Sequence, residues 1–181
     1  MKIDNMPAKG GSASGGKIYI GADHAGYGLK EKLKVYLSGL GLGYEVVDKG
    51  AFSLDPDDDY PDFIKPVAEA VASDKGSFGI IIGGSGQGEA MCANRVVGAR
   101  AVVFYGEAVA KEGIDIKGQK SADPFLIIAL ARSHNDANIL SLGARFVGED
   151  VAKFAVELFL TTEFSGEERH VRRINKLDPR P

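Results

Sequence analysis

The 181-residue sequence has one cysteine, three histidines and no tryptophan, and the shortage of the first two excludes several kinds of site. A single cysteine cannot form an intramolecular disulfide. This usage is typical of a reducing compartment, and we therefore expect a cytoplasmic protein. The histidines and the cysteine are scattered without the spacing of metal ligands, so a metal site is not expected.

Charge and hydropathy exclude two further classes. The net charge of −3 argues against nucleic-acid binding, which needs a basic face. No apolar run approaches the ~20 residues that span a bilayer, and the N-terminus lacks the apolar core of a signal peptide. Residues 1–16 are rich in glycine and serine and predict a flexible tail. Residues 17–181, with ample apolar content, are predicted to form one domain.

Short apolar runs alternate with amphipathic helical segments along the rest of the chain. The predicted strands are Lys17–Ala22, Tyr44–Val47, Phe78–Ile82, Arg100–Tyr105 and Ile139–Leu142. The predicted helices are Tyr27–Leu40, a segment beginning near Pro61, Pro124–Ser133 and Glu149–Thr161. This alternation predicts an α/β fold, a three-layer α/β/α sandwich around a five-stranded parallel, Rossmann-like sheet. Ligands of such sheets bind at the carboxyl ends of the strands.

Three polar segments interrupt this pattern. The acidic run Asp55–Asp59 is predicted to be a solvated loop, and Lys111–Asp123 to be a long loop. The segment from Gly166 onward is basic, with little apolar character, and is predicted to be a terminal helix. Arg169 and Arg173 lie four residues apart on one face of this helix, an arrangement that suits a phosphate clamp. A merely solvated or subunit-packing helix is the open alternative.

The most informative segment is the glycine-rich loop Gly83–Gly88, which follows a buried apolar strand and precedes a helix. Its glycines permit close approach of the backbone to a ligand, and the helix N-terminus favours negative charge. Glu89 at the start of that helix adds a base, so the loop indicates chemistry on an anionic or oxyanion-forming substrate. The spacing matches neither G-x-G-x-x-G nor G-x-x-x-x-G-K-[ST], which excludes the common nucleotide loops. A structural turn remains the alternative.

Taken in order, several motifs resemble ribose-5-phosphate isomerase type B, in the family that also contains the galactose-6-phosphate isomerase subunits. The resemblance runs from about Lys17 to about Lys176. It implies a metal-free and cofactor-free aldose–ketose isomerase that works through an enediolate, and at least a homodimer with a shared active site. The motifs are Asp23–Gly26, Gly83–Glu89, Ala93–Arg95, Gly98–Arg100, His134–Asn138 and Arg169–Arg173.

The resemblance also implies roles for individual residues. Many family members carry a cysteine base where this chain has Gly83, whereas a second branch has G-G-S-G-x-G-E and uses the glutamate. Glu89 is therefore the expected base, with Ser85 and the loop N–H groups holding the enediolate oxygen. His134 is expected to open the furanose ring, Asp23 to contact a sugar hydroxyl and Asn135 to orient a sugar oxygen. The expected substrate-binding residues are His24, Gly84, Gly86, Gly88, Asn135, Arg145, Arg169 and Arg173.

Ribose 5-phosphate and ribulose 5-phosphate are the expected substrate pair. Another aldose phosphate, with four or six carbons, is the alternative within the same class. A non-catalytic sugar-phosphate-binding protein is the alternative from another class, although a pure binder gains nothing from a carboxylate that faces an anionic ligand. The loop Lys111–Asp123 is longer than the family usually has, so it is a candidate determinant of substrate range.

Overall fold

The structure, a computed structural model, describes residues 16–115 and 117–177. They form a five-stranded sheet of order β2-β1-β3-β5-β4, in which every neighbouring pair is parallel. The strands are β1 (Lys17–Ala22), β2 (Glu45–Asp48), β3 (Phe78–Gly83), β4 (Ala101–Phe104) and β5 (Ile139–Gly143). The helices are α1 (Tyr27–Gly39), α2 (Pro61–Ser73), α3 (Gln87–Ala93), α4 (Leu126–Asn135), α5 (Glu149–Thr161) and α6 (Glu168–Ile174).

Two apolar cores cover the two faces of the sheet, which confirms the predicted three-layer sandwich. Side chains alternate across a strand, so Ile80 and Ile82 of β3 join one core and Ile81 joins the other. The first core contains residues of α1, α4 and α5, and the second contains residues of α2 and α3. Burial on both faces explains why the strands read as continuous apolar runs.

The predicted strands and helices agree with the structure to within a few residues at their ends. The largest consequence concerns α4, which begins two residues later than predicted and continues to Asn135. His134 and Asn135 therefore lie in its last turn, and the helix ends at Asp136 with a left-handed φ of 45°. The prediction that this helix ends at Ser133 was therefore two residues short. The predicted N-terminal tail lies outside the described residues, except for Gly16.

The strand order places a crevice between β1 and β3. After β1 the chain passes to β2 on one side, and after β3 it passes through α3 to β4 on the other side. Such a switch point at the carboxyl ends of parallel strands is where ligands bind in open α/β sheets. The segments that follow β1, β3 and β5 meet at this edge, and they carry most of the residues that the sequence singles out.

Candidate active site

A pocket of about 400 Å³ lies at this switch point, a volume that suits a small ligand. Its walls come from the segments after β1, β3 and β5 and from the start of α2. Seven of the predicted site residues line it together. The lining residues are Asp23, His24, Ala25, Tyr60, Gly84, Ser85, Gly88, Glu89, Arg145 and Phe146.

Glu89 is the buried carboxylate of the pocket, with a residue exposure of only 4%. It lies in the first turn of α3, and its side chain folds back against Gly83, so closely that a Cβ at Gly83 would overlap the carboxylate. Burial raises the pKa of Glu89, its own backbone N–H opposes this, and the charge of Asp23 raises the pKa further. The start of a helix lowers the pKa of a carboxyl group and burial raises it; at Glu89 the effect of burial is the stronger.

The glycine-rich loop forms the pocket wall beside Glu89. Gly84 and Gly88 line the pocket, and a Cβ at either would lie within 3.1–3.4 Å of Arg145 or Tyr60. Gly86 lies outside the lining. It adopts a left-handed φ of 76°, which favours glycine, and its carbonyl accepts a hydrogen bond from Ser141 Oγ at 2.6 Å. Gly86 therefore shapes the loop, whereas Gly84 and Gly88 line the pocket.

Ser85 and Asp23 each make a local hydrogen bond as well as lining the pocket. The backbone N–H of Gln87 donates to Ser85 Oγ at 3.3 Å, which is a local contact within the turn. The backbone N–H of Gly26 donates to Asp23 Oδ1 at 3.0 Å. Asp23 is buried, and its charge acts on both Glu89 and His24. A hydroxyl and a carboxylate are thus fixed close to the carboxylate of Glu89.

Arg145 and, when it is protonated, His24 supply positive charge to the pocket. The backbone of Arg145 is tied to the glycine loop, since its N–H donates to the carbonyl of Gly84 at 3.1 Å. His24 Nδ1 lies 2.6 Å from Asp58 Oδ1, and this hydrogen bond raises the pKa of His24. The prediction that the whole run Asp55–Asp59 is solvated is wrong for Asp58, because its side chain is only 6% exposed and contacts His24.

The remaining predicted residues form a second group at the ends of α4 and α6, which we call the α4–α6 cluster. It consists of the predicted residues His134, Asn135, Arg169 and Arg173, together with His170, which the sequence did not single out. The rings of His134 and His170 stack with centroids 4.3 Å apart, and Arg169 Nε donates to His170 Nε2 at 3.2 Å. Arg169 and Arg173 share α6, as the spacing predicts. Within the described part of the chain, no member of this cluster lines the pocket.

The structure adds residues that sequence reasoning missed. Tyr60 and Phe146 line the pocket, and His170 links Arg169 to His134. Tyr60 precedes the proline that begins α2, and Phe146 follows Arg145, so both are adjacent to residues that were noted. Exposed aromatic side chains carry no periodic signal, and their role is visible only once the strand ends are brought together.

No group of three or more His, Cys, Asp or Glu side chains in residues 16–115 and 117–177 could hold a metal ion. None of the helices in these ranges is long and apolar enough to cross a membrane.

The sequence and the structure both resemble those of known proteins from one family. The model of the Ribose/Galactose Isomerase family matches residues 18–117 and 125–177. Ribose-5-phosphate isomerase B of Mycobacterium leprae is 40% identical, over 91% of this chain and 89% of that protein. A ribose 5-phosphate isomerase structure from Thermotoga maritima superposes with a TM-score of 0.73 at 41% identity, over 90% of this chain and 97% of that one.

A second solved structure is informative about ligands. Ribose-5-phosphate isomerase B from Mycoplasma genitalium, with bound ribulose-5-phosphate, superposes with a TM-score of 0.75 at 35% identity. The alignment covers 89% of this chain and 93% of that one. The chain therefore belongs to the ribose/galactose isomerase family, as its motifs predict.

Proposed function

We propose that this protein interconverts ribose 5-phosphate and ribulose 5-phosphate. The observation that carries the proposal is the buried carboxylate of Glu89, which lies beneath a glycine-rich loop in a pocket that also holds His24 and Arg145. The reaction needs a base, hydrogen-bond donors for the enediolate oxygen and positive charge for the phosphate. Glu89, the backbone N–H groups of the loop, and the pair His24 and Arg145 would supply these in turn. Related proteins that carry this name, one of them with ribulose-5-phosphate bound, support the choice of substrate.

The proposed chemistry is a proton transfer between neighbouring carbons. Glu89 removes the proton from C2 of the open-chain aldose, which leaves an enediolate, and returns it to C1. The hydroxyl proton on O2 passes to O1, so the ketose has the same atoms as the aldose. Ser85 and the N–H groups of Gly84 and Gly88 stabilise the enediolate oxygen. A carboxylate with a raised pKa is a stronger base than an exposed one, which suits this step.

Ring opening and phosphate binding require more groups than one chain brings to its pocket. We assign phosphate binding to His24 and Arg145 within the chain, joined by Arg169 and Arg173 from a second copy. His134 and Asn135 of that copy open and orient the sugar, with Asp23 on a hydroxyl. The support is that the α4–α6 cluster carries these functional groups but does not line its own chain's pocket.

Exposed apolar side chains around the pocket support a homodimer. Met91 lies on α3 two residues after Glu89, and Tyr105 packs edge-on against Phe146, which lines the pocket. Met91, Tyr105 and Phe146 are each more than half exposed in the isolated chain. Exposed apolar surface of this kind, in which Tyr105 and Phe146 form a contacting pair, marks an interaction site, and a second copy would bury it while delivering its α4–α6 cluster.

The test is turnover of aldose phosphates with four, five and six carbons, each measured with wild-type protein and with Glu89→Gln. We expect ribose 5-phosphate to give the highest kcat/KM and Glu89→Gln to lose turnover of every substrate. Preference for a six-carbon phosphate would instead favour the galactose side of the family. Binding of sugar phosphates without turnover by the wild type would favour a binding protein.

A further inference from the structure

The starting observation is the contact between His24 and Asp58, which are 34 residues apart in sequence. His24 follows β1 and lines the pocket, whereas Asp58 belongs to the acidic loop before α2. Asp58 Oδ1 lies 2.6 Å from the ring Nδ1 and also accepts the backbone N–H of His24 at 3.1 Å. One carboxylate oxygen thus fixes both the main chain and the ring of His24.

This contact decides which ring nitrogen remains for a ligand. An ionised carboxylate offers only acceptors, so Nδ1 must carry a proton to bond Asp58. Nε2 is then the nitrogen left for the pocket. In a neutral ring Nε2 would present a lone pair, which repels a phosphate oxygen. In the imidazolium form Nε2–H donates a charge-assisted hydrogen bond to it.

The charges that surround His24 come from three side chains. The hydrogen bond to Asp58 is the largest influence and raises the pKa of His24; partial burial lowers it, Asp23 raises it and Arg145 lowers it. The other oxygen of Asp58, Oδ2, is buried and has no hydrogen-bond partner among the described residues. An unpaired buried charge is costly, so a buried carboxylate with one unpartnered oxygen is strongly stabilised by a cation at Oδ1.

We propose that Asp58 is a positioning residue that holds His24 as an imidazolium, with Nε2–H available to the phosphate of the substrate. The inference rests on the proposed function for the identity of the ligand, but the Asp58–His24 pair itself is independent of it. Affinity for sugar phosphates should then be linked to a proton on His24. It should remain high while His24 is protonated and fall as the pH rises through the titration of His24.

The first experiment compares KM for ribose 5-phosphate across pH in Asp58→Asn and wild type. Asparagine keeps the size and the acceptor at Oδ1 but removes the charge. We expect the rise of KM to move to lower pH, with KM increased about tenfold at pH values between the two His24 titrations and kcat changed far less, as for one weakened charge-assisted contact. Asp57→Asn is the matched control, because Asp57 is an exposed carboxylate in the same loop. Equal KM–pH profiles for Asp58→Asn and Asp57→Asn would overturn the proposal.

The second experiment follows the His24 ring by NMR in the ligand-free protein. The chain has only three histidines, so His24→Gln identifies the signal. We expect Nδ1 to be protonated in the neutral ring, the titration of His24 to shift to lower pH in Asp58→Asn, and inorganic phosphate to shift it to higher pH in wild type. The wild-type measurements stand even if Asp58→Asn does not fold.

The two experiments separate failure of this inference from failure of the proposed function. A His24 titration that Asp58→Asn does not change, or that phosphate does not change, overturns the inference whatever the enzyme turns over. Absence of turnover with every aldose phosphate would refute the proposed function. The NMR titrations would still support or overturn the role of Asp58 in that case.

Discussion

The carboxylate of Glu89 occupies the space that a Cβ on Gly83 would fill. Gly83 is the last residue of β3, and Glu89 reaches this point from the first turn of α3. Gly83 is also the position where many family members are expected to carry a cysteine base. The two positions thus direct a side chain to the same place, and a side chain at residue 83 excludes the carboxylate of Glu89. Glycine at 83 is the condition under which the Glu89 carboxylate can occupy this place, as its proposed role as the base requires.

Gly83→Ala tests this relationship. The added Cβ must displace the carboxylate, so we expect a loss of kcat and a loss of about 1–3 kcal/mol in the free energy of unfolding, the usual cost of overpacking. In a Glu89→Ala background the stability cost of Gly83→Ala should largely disappear, because the overlapping atoms are gone. Denaturant unfolding of the four proteins measures this coupling.

The matched control for that cycle is Gly28→Ala. Gly28 is an exposed glycine of α1, and a Cβ there would meet nothing within 4 Å. Alanine at this helical position should be neutral or should stabilise by about 0.5–1 kcal/mol. If Gly83→Ala behaves like Gly28→Ala in stability and turnover, the exclusion of the Glu89 carboxylate is wrong.

Glu89→Gln should separate catalysis from stability. Loss of the base should lower kcat by roughly 10²–10⁴, while KM changes little. The pKa of Glu89 is raised in the folded protein, so folding favours its protonated form. The stabilising contribution of Glu89 is therefore present below the ordinary pKa and is lost as the pH rises through the raised value. At neutral pH the buried charge opposes folding, and Glu89→Gln should be more stable than wild type.

The pH dependence provides the check on that assignment. The stability advantage of Glu89→Gln should shrink as the pH falls below the raised pKa of Glu89, and wild-type kcat should fall over the same range. Thermal or denaturant unfolding at several pH values measures the first, and steady-state rates measure the second. A Glu89→Gln protein that is active, or whose stability relative to wild type does not depend on pH, would contradict the prediction.

The fold and most of the pocket lining could be predicted because their signals are local. A run such as Phe78–Gly83 is apolar and β-branched, so it indicates a buried parallel strand from sequence alone. Asp23 and Glu89 follow such strands closely, and parallel strands end at one edge of the sheet. Chain position after a strand was therefore enough to bring these side chains into one pocket.

The rest depends on contacts between distant segments, which sequence patterns do not report. Asp58 reads as one of several solvated acids, and only its contact with His24 distinguishes it. Tyr60 enters the pocket because α2 begins beside the glycine loop. His134 lies in the last turn of α4 and stacks on His170 of α6, a contact between distant segments that has no local signal.

His170 should make stability sensitive to mild acid. The guanidinium of Arg169 can only donate, so its hydrogen bond makes His170 Nε2 an acceptor and the ring neutral. Burial lowers the pKa of His170, and the charges of His134, Arg169 and Arg173 lower it further. The charge of Glu167 raises it in opposition. The unfolded chain then binds the proton first, so stability should fall as the pH drops below about 6.5 and level off below the lowered value.

A comparison of His170→Gln with wild type between pH 8 and pH 5 checks this expectation. Glutamine can still accept from Arg169 but does not titrate, so the loss of stability on acidification should be smaller. The free energy of unfolding of both proteins is measured at each pH. An equal loss in both proteins would show that other groups cause the acid sensitivity.

Arg169 and Arg173 should bind phosphate in a neighbouring subunit. Each charge-assisted contact is worth about 1.5–3 kcal/mol, so Arg173→Ala should raise KM for ribose 5-phosphate more than tenfold. Arg172→Ala is the control, because Arg172 lies on the same exposed helix but outside the i, i+4 pair. Turnover of a non-phosphorylated sugar should change little in either variant.

Mixing two inactive proteins tests whether the site is shared. Glu89→Gln supplies intact arginines, and the double variant Arg169→Ala/Arg173→Ala supplies an intact base. In a symmetric dimer with a shared site, random exchange should restore about a quarter of the wild-type sites. No recovery, with subunit exchange verified by a tagged chain, would place the base and the arginines in the same subunit's site.

The loop Lys111–Asp123 should tune which sugar enters if the arginines act across subunits. Asp115 accepts the backbone N–H groups of Gln119 and Lys117, and these bonds, together with the charge of Arg169, lower its pKa. The charge of Arg169, the arginine that is proposed to reach the neighbouring pocket, thus acts on this loop. Replacing residues 113–122 with a short Gly-Ser linker should change the ratio of kcat/KM for five- and six-carbon phosphates. Asp115→Asn should lower KM for both by the same factor, because it removes a negative charge that attracts Arg169, while the amide oxygen can still accept from Gln119 and Lys117. An unchanged ratio in a folded dimer of the linker variant would identify the loop as a tolerated surface insertion.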